Sequence, residues 1–242
     1  MTMIRTMVTR CLMAAAGAAV TVPPALAQEA VGAGGLEEVI VTAQKRAESA
    51  QDVPIALTVF DSTALARANI TRIEEIAWRT PNFTMMRVNV GEPQFYIRGV
   101  GSTSDSAAGD PTVGIFQDEI YVGRVRGAAF DIFDMERVEV LRGPQGTLFG
   151  RNTSGGAVNF IPNRPEQEFY SSAYLSYGNY DAIDGRLVLN GGLTDTIAGR
   201  LSLSHRESSG FSENITTGAD LDDEDNWSVR AQLLFTPGDA SR

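Results

Sequence analysis

The chain has 242 residues, of which 43% are hydrophobic, and it carries 20 Lys and Arg against 30 Asp and Glu, a formal net charge of −10. The hydrophobic fraction suffices for one or two domain cores, so composition alone permits a soluble globular protein or an enzyme. An acidic excess repels phosphate, which excludes nucleic acid as an expected partner. Cys11 is the only cysteine. It lies in a predicted leader, so the mature chain is expected to have neither disulfides nor a thiol nucleophile.

Residues 1–27 have the layout of a cleaved secretory signal peptide. Arg5 and Arg10 precede an apolar run over 11–22, and Ala25-Leu26-Ala27 forms a small-residue cleavage site. The run is shorter than the roughly 20 residues that span a bilayer. No later stretch reaches 18 uninterrupted apolar residues, so the exported chain is expected to meet a membrane only through β-strands. Residues 28–35 are glycine-rich and predict a flexible linker.

Residues 36–46 follow the linker and contain the β-branched run Val39–Thr42. Such residues favour an extended chain, and no adjacent stretch resembles a hairpin partner, so we expect a strand that pairs with the sheet edge of another protein. The sequence Glu38-Val39-Ile40-Val41-Thr42-Ala43 resembles the TonB box of outer-membrane receptors, which adds a strand to the periplasmic protein TonB. The resemblance implies that these six residues bind TonB. The alternative is an ordinary first strand of the following domain.

Residues 47–165 predict an α+β domain. Val53–Phe60 indicates a strand, and Asp61 offers a cap for a helix after it. Thr71 and Glu74 match a capping box for a second helix, which Pro81 stops. Two further strands, each ending in a turn, are predicted in Phe95–Gly101 and Val113–Val122.

The stretches Phe133–Gly150 and Asn152–Ile161 closely resemble the C-terminal signature of the plug domain of TonB-dependent outer-membrane transporters, and Ile97-Arg98-Gly99 matches a second plug element. The resemblance covers residues 36–165. It implies a four-stranded sheet with short helices that fills the lumen of a β-barrel. The matching signature positions are Arg98, Gly99, Arg142, Gly143, Pro144, Gly150, Gly155 and Gly156.

The composition of this region fits a domain that sits inside a water-lined barrel. Residues 46–165 contain 12 Arg and 14 acidic side chains, which would give the domain a polar outer surface. The glycine-rich stretch 150–156 also invites a nucleotide-binding interpretation. It lacks the Lys-Ser/Thr pair that grips phosphates, so we do not expect a nucleotide site.

Residues 166–242 change to a period of two, which predicts antiparallel strands. Four alternating runs occupy residues 171–177, 186–193, 200–204 and 227–235. The connections at 194–196 and 237–239 are tight, whereas residues 208–224 form a long acidic loop. Apolar-out and polar-in alternation with short and long connections is the pattern of an outer-membrane barrel. A soluble β-sandwich is the alternative on periodicity alone.

Plugged transporters have 22 strands, so four strands leave about 18 unaccounted for. We therefore expect the chain to be the N-terminal portion of a transporter: an α+β plug domain followed by the first antiparallel strands of an incomplete outer-membrane β-barrel.

Catalytic and metal-binding patterns are weak. His205 is the only histidine, so a Ser-His-Asp triad would depend on it, and it falls in a predicted strand. The acidic residues of 220–225 lack the spaced ligands and central glycine of a calcium loop, so a solvated loop is the interpretation we favour. We expect no enzyme activity, no cofactor and no metal site.

The predicted function is energised import across the outer membrane of a Gram-negative cell. The resemblance implies TonB, outer-membrane lipid and a small-molecule substrate as partners, with a ferric siderophore favoured and cobalamin, haem or a glycan still open. Residues 85–90 and 102–110 are predicted apical loops. Candidate substrate contacts there are Met85, Arg87, Asn89, Ser102, Ser104 and Asp105. The alternatives are a free-standing periplasmic plug-like binding module and a periplasmic enzyme.

Overall fold

The computed structural model describes residues 39–89, 92–102, 109–124, 130–218 and 220–237. The predicted signal peptide, the linker over 28–35 and residues 36–38 lie outside these ranges, so those assignments remain predictions. The described residues contain an α+β domain, residues 39–165, and a sheet of long strands that follows it.

The α+β domain is built on a five-stranded mixed sheet. In spatial order its strands are β3 (Ala56–Asp61), β9 (Met135–Arg142), β10 (Gly156–Pro162), β7 (Val113–Gln117) and β8 (Ile120–Tyr121). Neighbours pair antiparallel, except that β10 and β7 are parallel. The expected four strands are therefore present and β8 adds a fifth. The single strand predicted over 113–122 is wrong, because Asp118 and Glu119 have positive φ and turn the chain into the β7–β8 hairpin.

Three short helices accompany the sheet: α1 (Ser62–Arg67), α2 (Ile73–Arg79) and α3 (Gly146–Phe149). Asp61 caps α1 as predicted, since its carboxylate accepts from the Ala64 amide at 2.6 Å. At α2 the predicted capping pair is wrong: Glu75, not Glu74, accepts from the amides of Thr71 and Arg72. None of the helices in the described ranges has the length and apolarity needed to span a membrane.

Smaller strands complete the domain. A two-stranded ladder joins β1 (Ile40–Val41) to β2 (Glu48–Ser49). A three-stranded sheet contains β4 (Phe83–Asn89), β5 (Glu92–Ile97) and β6 (Val100–Gly101). Among these pieces the sequence predicted a strand in 39–42 and one in 95–101, but not β2 or β4.

Each face of the five-stranded sheet buries its own core, because alternate side chains of a strand point to opposite faces. Val138, Val140 and Phe160 belong to the first core, which α1, α2, β4 and β5 cover. Leu141 and Ala157 belong to the second core, which contains Val41, Ala43, Val53, Phe116 and Phe149. The N-terminal segment therefore covers one face of the sheet.

The remaining strands form an antiparallel sheet, here called the long sheet, in the order β11 (Tyr170–Tyr177), β12 (Ile183–Thr194), β13 (Ile197–Ser208) and β16 (Glu224–Phe235). All four predicted strands are confirmed, and most are longer than predicted. The predicted loop over 208–224 contains a two-residue hairpin, β14 (Ser212–Glu213) with β15 (Asp220–Leu221).

The two faces of the long sheet differ as predicted. One face exposes large apolar side chains: Leu175, Tyr177, Leu189, Leu193, Leu201, Trp227, Val229, Leu233 and Phe235. The other face is polar and approaches the α+β domain, where Asn190, Arg200, Ser202 and Ser204 are buried. His205 lies with the apolar face and stacks on the Trp227 ring at 3.9 Å between centroids.

Candidate functional site

The predicted TonB-binding segment is folded onto the α+β domain. Ile40 and Val41 pair with Ser49 and Glu48, and the Ala50 amide donates to the Val39 carbonyl at 2.8 Å. The expectation that this strand has no partner nearby in sequence is therefore wrong. Val41 and Ala43 are completely buried, whereas Ile40 is exposed. Glu38, the first residue of the predicted box, lies outside the described ranges.

Thr42 is held by two charged side chains of β9. Its amide donates to Glu139 Oε1 at 2.8 Å, and its hydroxyl accepts from Arg137 Nη2 at 3.1 Å. Arg137 Nε also donates to Glu139 Oε1, at 2.7 Å. Glu139 is fully buried and Arg137 nearly so. An unpaired buried charge is unfavourable, and here Arg137 and Glu139 pair with each other. This ion pair and its bonds to Thr42 are called the Thr42 contact.

Lys45 gives the same segment a second attachment. It lies at the turn between β1 and β2 with a φ of 62°. Its ammonium sits 4.7 Å from the centre of the Phe149 ring and 3.8 Å from the Glu119 carboxylate. A cation over an aromatic face is attracted by the ring quadrupole, so Lys45 holds the turn against α3 and the β7–β8 hairpin.

The plug signature residues converge at one end of the five-stranded sheet. Arg98 and Gly99 form the turn between β5 and β6, Arg142 ends β9, and Gly155 and Gly156 lead into β10. The Gly143 amide donates to the Gly155 carbonyl at 3.0 Å. Pro144 follows Gly143, and Gly150 caps α3 with a φ of 79°. Segments far apart in sequence thus form one structural junction.

The candidate substrate residues do not all lie in the loops predicted for them. Met85, Arg87 and Asn89 belong to strand β4, so the loop assignment for 85–90 is wrong for residues 85–89. Met85 packs against the first core, whereas Arg87 is exposed and forms an ion pair with Glu74. Ser102 follows β6, and Ser104 and Asp105 lie outside the described ranges. Their substrate role stays a prediction.

A second buried charged contact joins the α+β domain to the long sheet, and Asp134 is its centre. Arg200 donates to both carboxylate oxygens, Nε to Oδ2 at 2.8 Å and Nη2 to Oδ1 at 2.5 Å. Ser202 donates to Oδ2, and Asn163 donates to Oδ1 at 2.8 Å. Burial alone would raise the pKa of Asp134, but these hydrogen bonds outweigh it and lower the pKa below the ordinary value of an aspartate. We call this the Asp134 contact.

Neighbouring residues extend the attachment. Asp131 accepts from Arg206 and Ser228, each at 3.2 Å. Arg230 donates to the carbonyls of Phe133 and Asp134 and lies 4.7 Å from the Phe133 ring centre. The interface is therefore polar and charged, as the arginine content predicted.

Arg72, at the start of α2, adds a separate ion pair to Glu224 of β16. Partial burial and the nearby positive charge of Arg206 lower the pKa of Arg72. Arg206 also lies 3.7 Å from Glu224 and 3.6 Å from Asp184. Charges of alternating sign thus run from the α+β domain onto the polar face of the long sheet.

A cavity of about 960 Å³ lies between α1 and the polar face of β11–β13. Apolar residues of the α+β domain line one side, and polar residues of the long sheet line the other. Two arginines there lie near tyrosine rings, Arg186 at 5.1 Å from Tyr174 and Arg200 at 5.9 Å from Tyr170. The gap between domain and sheet is therefore open and partly charged.

Sequence reasoning singled out Thr42 but missed its partners Arg137 and Glu139, and it missed Asp134 and Arg200. A usable signal was present in β9, where Arg137 and Glu139 interrupt a run of buried apolar residues. A charged side chain in a central strand requires a partner, but the sequence does not show that Thr42 is one of these partners. Likewise, the alternation along β13 places Arg200 on the polar face but does not identify Asp134 as its partner.

In comparisons with known proteins, this chain is similar to the TonB-dependent receptors. The family described as TonB-dependent Receptor Plug Domain matches residues 49–157. The ferric-pyoverdine M114 receptor PbuA of Pseudomonas sp. strain M114 is 29% identical over 66% of this chain and 19% of its own length. The ferripyoverdine receptor of Pseudomonas aeruginosa PAO1 is 24% identical over 82% of this chain and 27% of its own length.

A solved structure gives the same result for the fold. The ferric yersiniabactin uptake receptor FyuA from Yersinia pestis superposes with a TM-score of 0.69 at 25% identity. The match covers 76% of this chain and 29% of that receptor. This chain thus spans between about a fifth and three tenths of the length of these three receptors.

Proposed function

Because this chain belongs to the TonB-dependent receptors, we propose that it supplies the plug and the TonB-coupling segment for energised uptake of a ferric siderophore across the outer membrane. The observation that carries the proposal is the position of residues 39–43. They contain the short strand β1, they are joined to the plug through the Thr42 contact, and they precede the stretch that matches the plug family.

The proposed mechanism begins with the substrate outside the cell. Its binding favours a state in which residues 39–43 leave the plug, and the released strand pairs with a sheet edge of TonB through main-chain hydrogen bonds. TonB then transmits energy from the inner-membrane proton gradient. The polar plug interface suits this process, because it can be rearranged in water without exposing a large apolar surface.

A ferric siderophore is proposed as the substrate because the names of the matched receptors refer to ferric pyoverdine and ferric yersiniabactin. The outer-membrane location follows from the same family. The apolar face of the long sheet supports this location, since strands of transmembrane barrels direct apolar side chains to lipid.

Binding to the purified periplasmic domain of TonB tests the coupling role. Ile40→Pro removes an amide that strand pairing requires, so we expect binding to fall at least tenfold. Ile40→Val keeps the amide and the β-branched shape and serves as the matched control. Equal TonB affinity for the proline variant and the control would contradict the proposal.

The substrate is tested with ferric pyoverdine as the probe, through quenching of tryptophan fluorescence. Trp78 in α2 is 75% exposed and lies in the helix that carries Glu74, the partner of Arg87. We expect saturable quenching by the ferric complex and weaker binding after Arg87→Gln, with Arg79→Gln as the control. Quenching that does not saturate would contradict the proposed substrate. Equal affinity of Arg87→Gln and Arg79→Gln would contradict the role of Arg87 in binding it.

A further inference from the structure

Two buried charged contacts lie on the same strand of the plug. Glu139 and Arg137 of β9 hold Thr42, and Asp134, directly before β9, is held by Arg200 and Ser202. We propose that β9 is the rigid link between the coupling segment and the long sheet, with Glu139 and Asp134 as its positioning residues. The inference rests on the proposed function.

The geometry of β9 suits a rigid link. Asp134 and Glu139 are five residues apart, and Asp134 has a φ of 51°, so the chain turns directly before β9. The strand is the second of five in its sheet. It pairs with β3 over Arg137–Arg142 and with β10 over Met135–Arg142, with a register shift between Ile161 and Pro162. A load applied at Glu139 is therefore carried toward Asp134 mainly through the pairing with β10.

The Thr42 contact controls access to the coupling segment. The segment cannot offer the paired edge of β1 to another strand while Ile40 and Val41 are paired with β2 and Thr42 is bound to Glu139. Glu139 is fully buried, and its second oxygen, Oε2, has no hydrogen-bond partner. Glu139 therefore holds Thr42 through Oε1 alone, which accepts the Thr42 amide, the Thr42 hydroxyl and Arg137 Nε.

The Asp134 contact is more extensive. Both oxygens of its carboxylate receive two donors each, and its carbonyl receives the Asn163 amide at 3.2 Å and Arg230 at 3.1 Å. A bidentate pair between a guanidinium and a carboxylate is stronger than the single charge-assisted bond that the neutral Thr42 amide donates to Glu139. The Thr42 contact consequently opens first, while Asp134 keeps the plug attached to the long sheet.

Amide hydrogen exchange on the full chain tests both positions at once. Glu139→Gln should speed exchange of the Thr42 amide by about tenfold or more, because a charge-assisted bond is lost. The Asn163 amide, which binds the Asp134 carbonyl, should keep its protection. Asp134→Asn should have the opposite effect, with faster exchange at Asn163 and unchanged exchange at Thr42.

Glu136→Gln is the matched control, since Glu136 lies on the same strand, also contacts Arg137 and is about half exposed. It should change neither amide. If Glu139→Gln or Asp134→Asn unfolds the plug, which loss of protection at Val158 of β10 would reveal, the milder variants Thr42→Val and Ser202→Ala replace them. Loss of protection at both ends from a single variant, or at neither end from both variants, would overturn the inference.

TonB binding separates this inference from the proposed function. If the segment opens about tenfold more often in Glu139→Gln, the apparent affinity for TonB should rise by the same factor. Faster exchange at Thr42 with no TonB binding by any variant would overturn the coupling role. Unchanged exchange with normal TonB binding would overturn the role of β9 and leave the coupling role standing.

Discussion

The amide of Thr42 donates to the Glu139 carboxylate at 2.8 Å, although the two residues are 97 positions apart in the sequence. The bond links the N-terminal segment that contains Thr42 to a non-edge strand of the plug. It also explains why a charged side chain is retained inside the second core, because Glu139 binds both Thr42 and Arg137 there. The segment is thus an integral part of the folded plug.

Gly156→Ala should destabilise the plug strongly. Gly156 has a φ of +153°, and a Cβ added there would lie 2.3 Å from the Leu141 carbonyl oxygen. Relief would require β9 and β10 to separate, so we expect a loss of about 3 kcal/mol or more in the free energy of unfolding, measured by denaturant titration. Gly146→Ala is the control, because an added Cβ meets no atom within 4 Å and should change stability little.

Phe160→Ala tests the first core. The Phe160 side chain is fully buried on β10, and its ring lies 4.9 Å from that of Phe130. Removing it leaves a cavity and should reduce the free energy of unfolding by about 3–5 kcal/mol. Ile120→Ala removes an exposed apolar side chain of β8 and should have almost no effect. Equal losses for the two variants would show that the first core does not control unfolding.

Acid should weaken the Asp134 contact. The pKa of Asp134 is lower in the folded protein than in the unfolded chain, so its contribution to stability is complete above the unfolded pKa of about 3.9. The contribution is lost as pH falls through the lower folded pKa. Stability measured between about pH 5 and pH 2 should therefore fall less steeply for Asp134→Asn than for the unmodified chain. Asp52→Asn, on an exposed turn, should leave the slope unchanged.

Val229→Arg should weaken association of the long sheet with lipid. Val229 is 67% exposed on the apolar face near the middle of β16, and an arginine near the middle of a transmembrane strand costs about 2–4 kcal/mol. Flotation with phospholipid vesicles should recover much less of this variant than of the unmodified chain. Thr216→Arg, in the exposed loop before β15, adds the same charge away from that face and should float normally.

The sequence predicted the elements whose signal is local. Alternation over the four long strands predicted the faces of the long sheet correctly, because residues two apart on a strand share a face whatever lies around them. Asp61 could be identified as a helix cap for a similar reason, since its partner amide is three residues away. Glycine-rich signature stretches were recognised by their resemblance to the plug family.

The predictions from sequence were wrong where the partner of a residue or strand could not be identified from the sequence. Glu74 and Glu75 are equally plausible caps by composition, and only the backbone placed Glu75 on the amides of Thr71 and Arg72. Residues 85–89 were predicted to belong to an apical loop, yet pairing with β5 makes them a strand. The β1–β2 ladder was missed because two residues on each side are too few to produce an alternating pattern.

The sequence by itself determined the resemblance to the plug family through its motifs. It also determined the division into an α+β plug followed by antiparallel strands, because periodicity and turn residues act over a few positions. Only the tertiary structure decided which residues the buried charged side chains pair with. Thr42 meets Glu139 and Asp134 meets Arg200 across 97 and 66 positions. Such pairs form because burial makes an unpaired charge unfavourable, and which partner satisfies the charge depends on how the sheets pack.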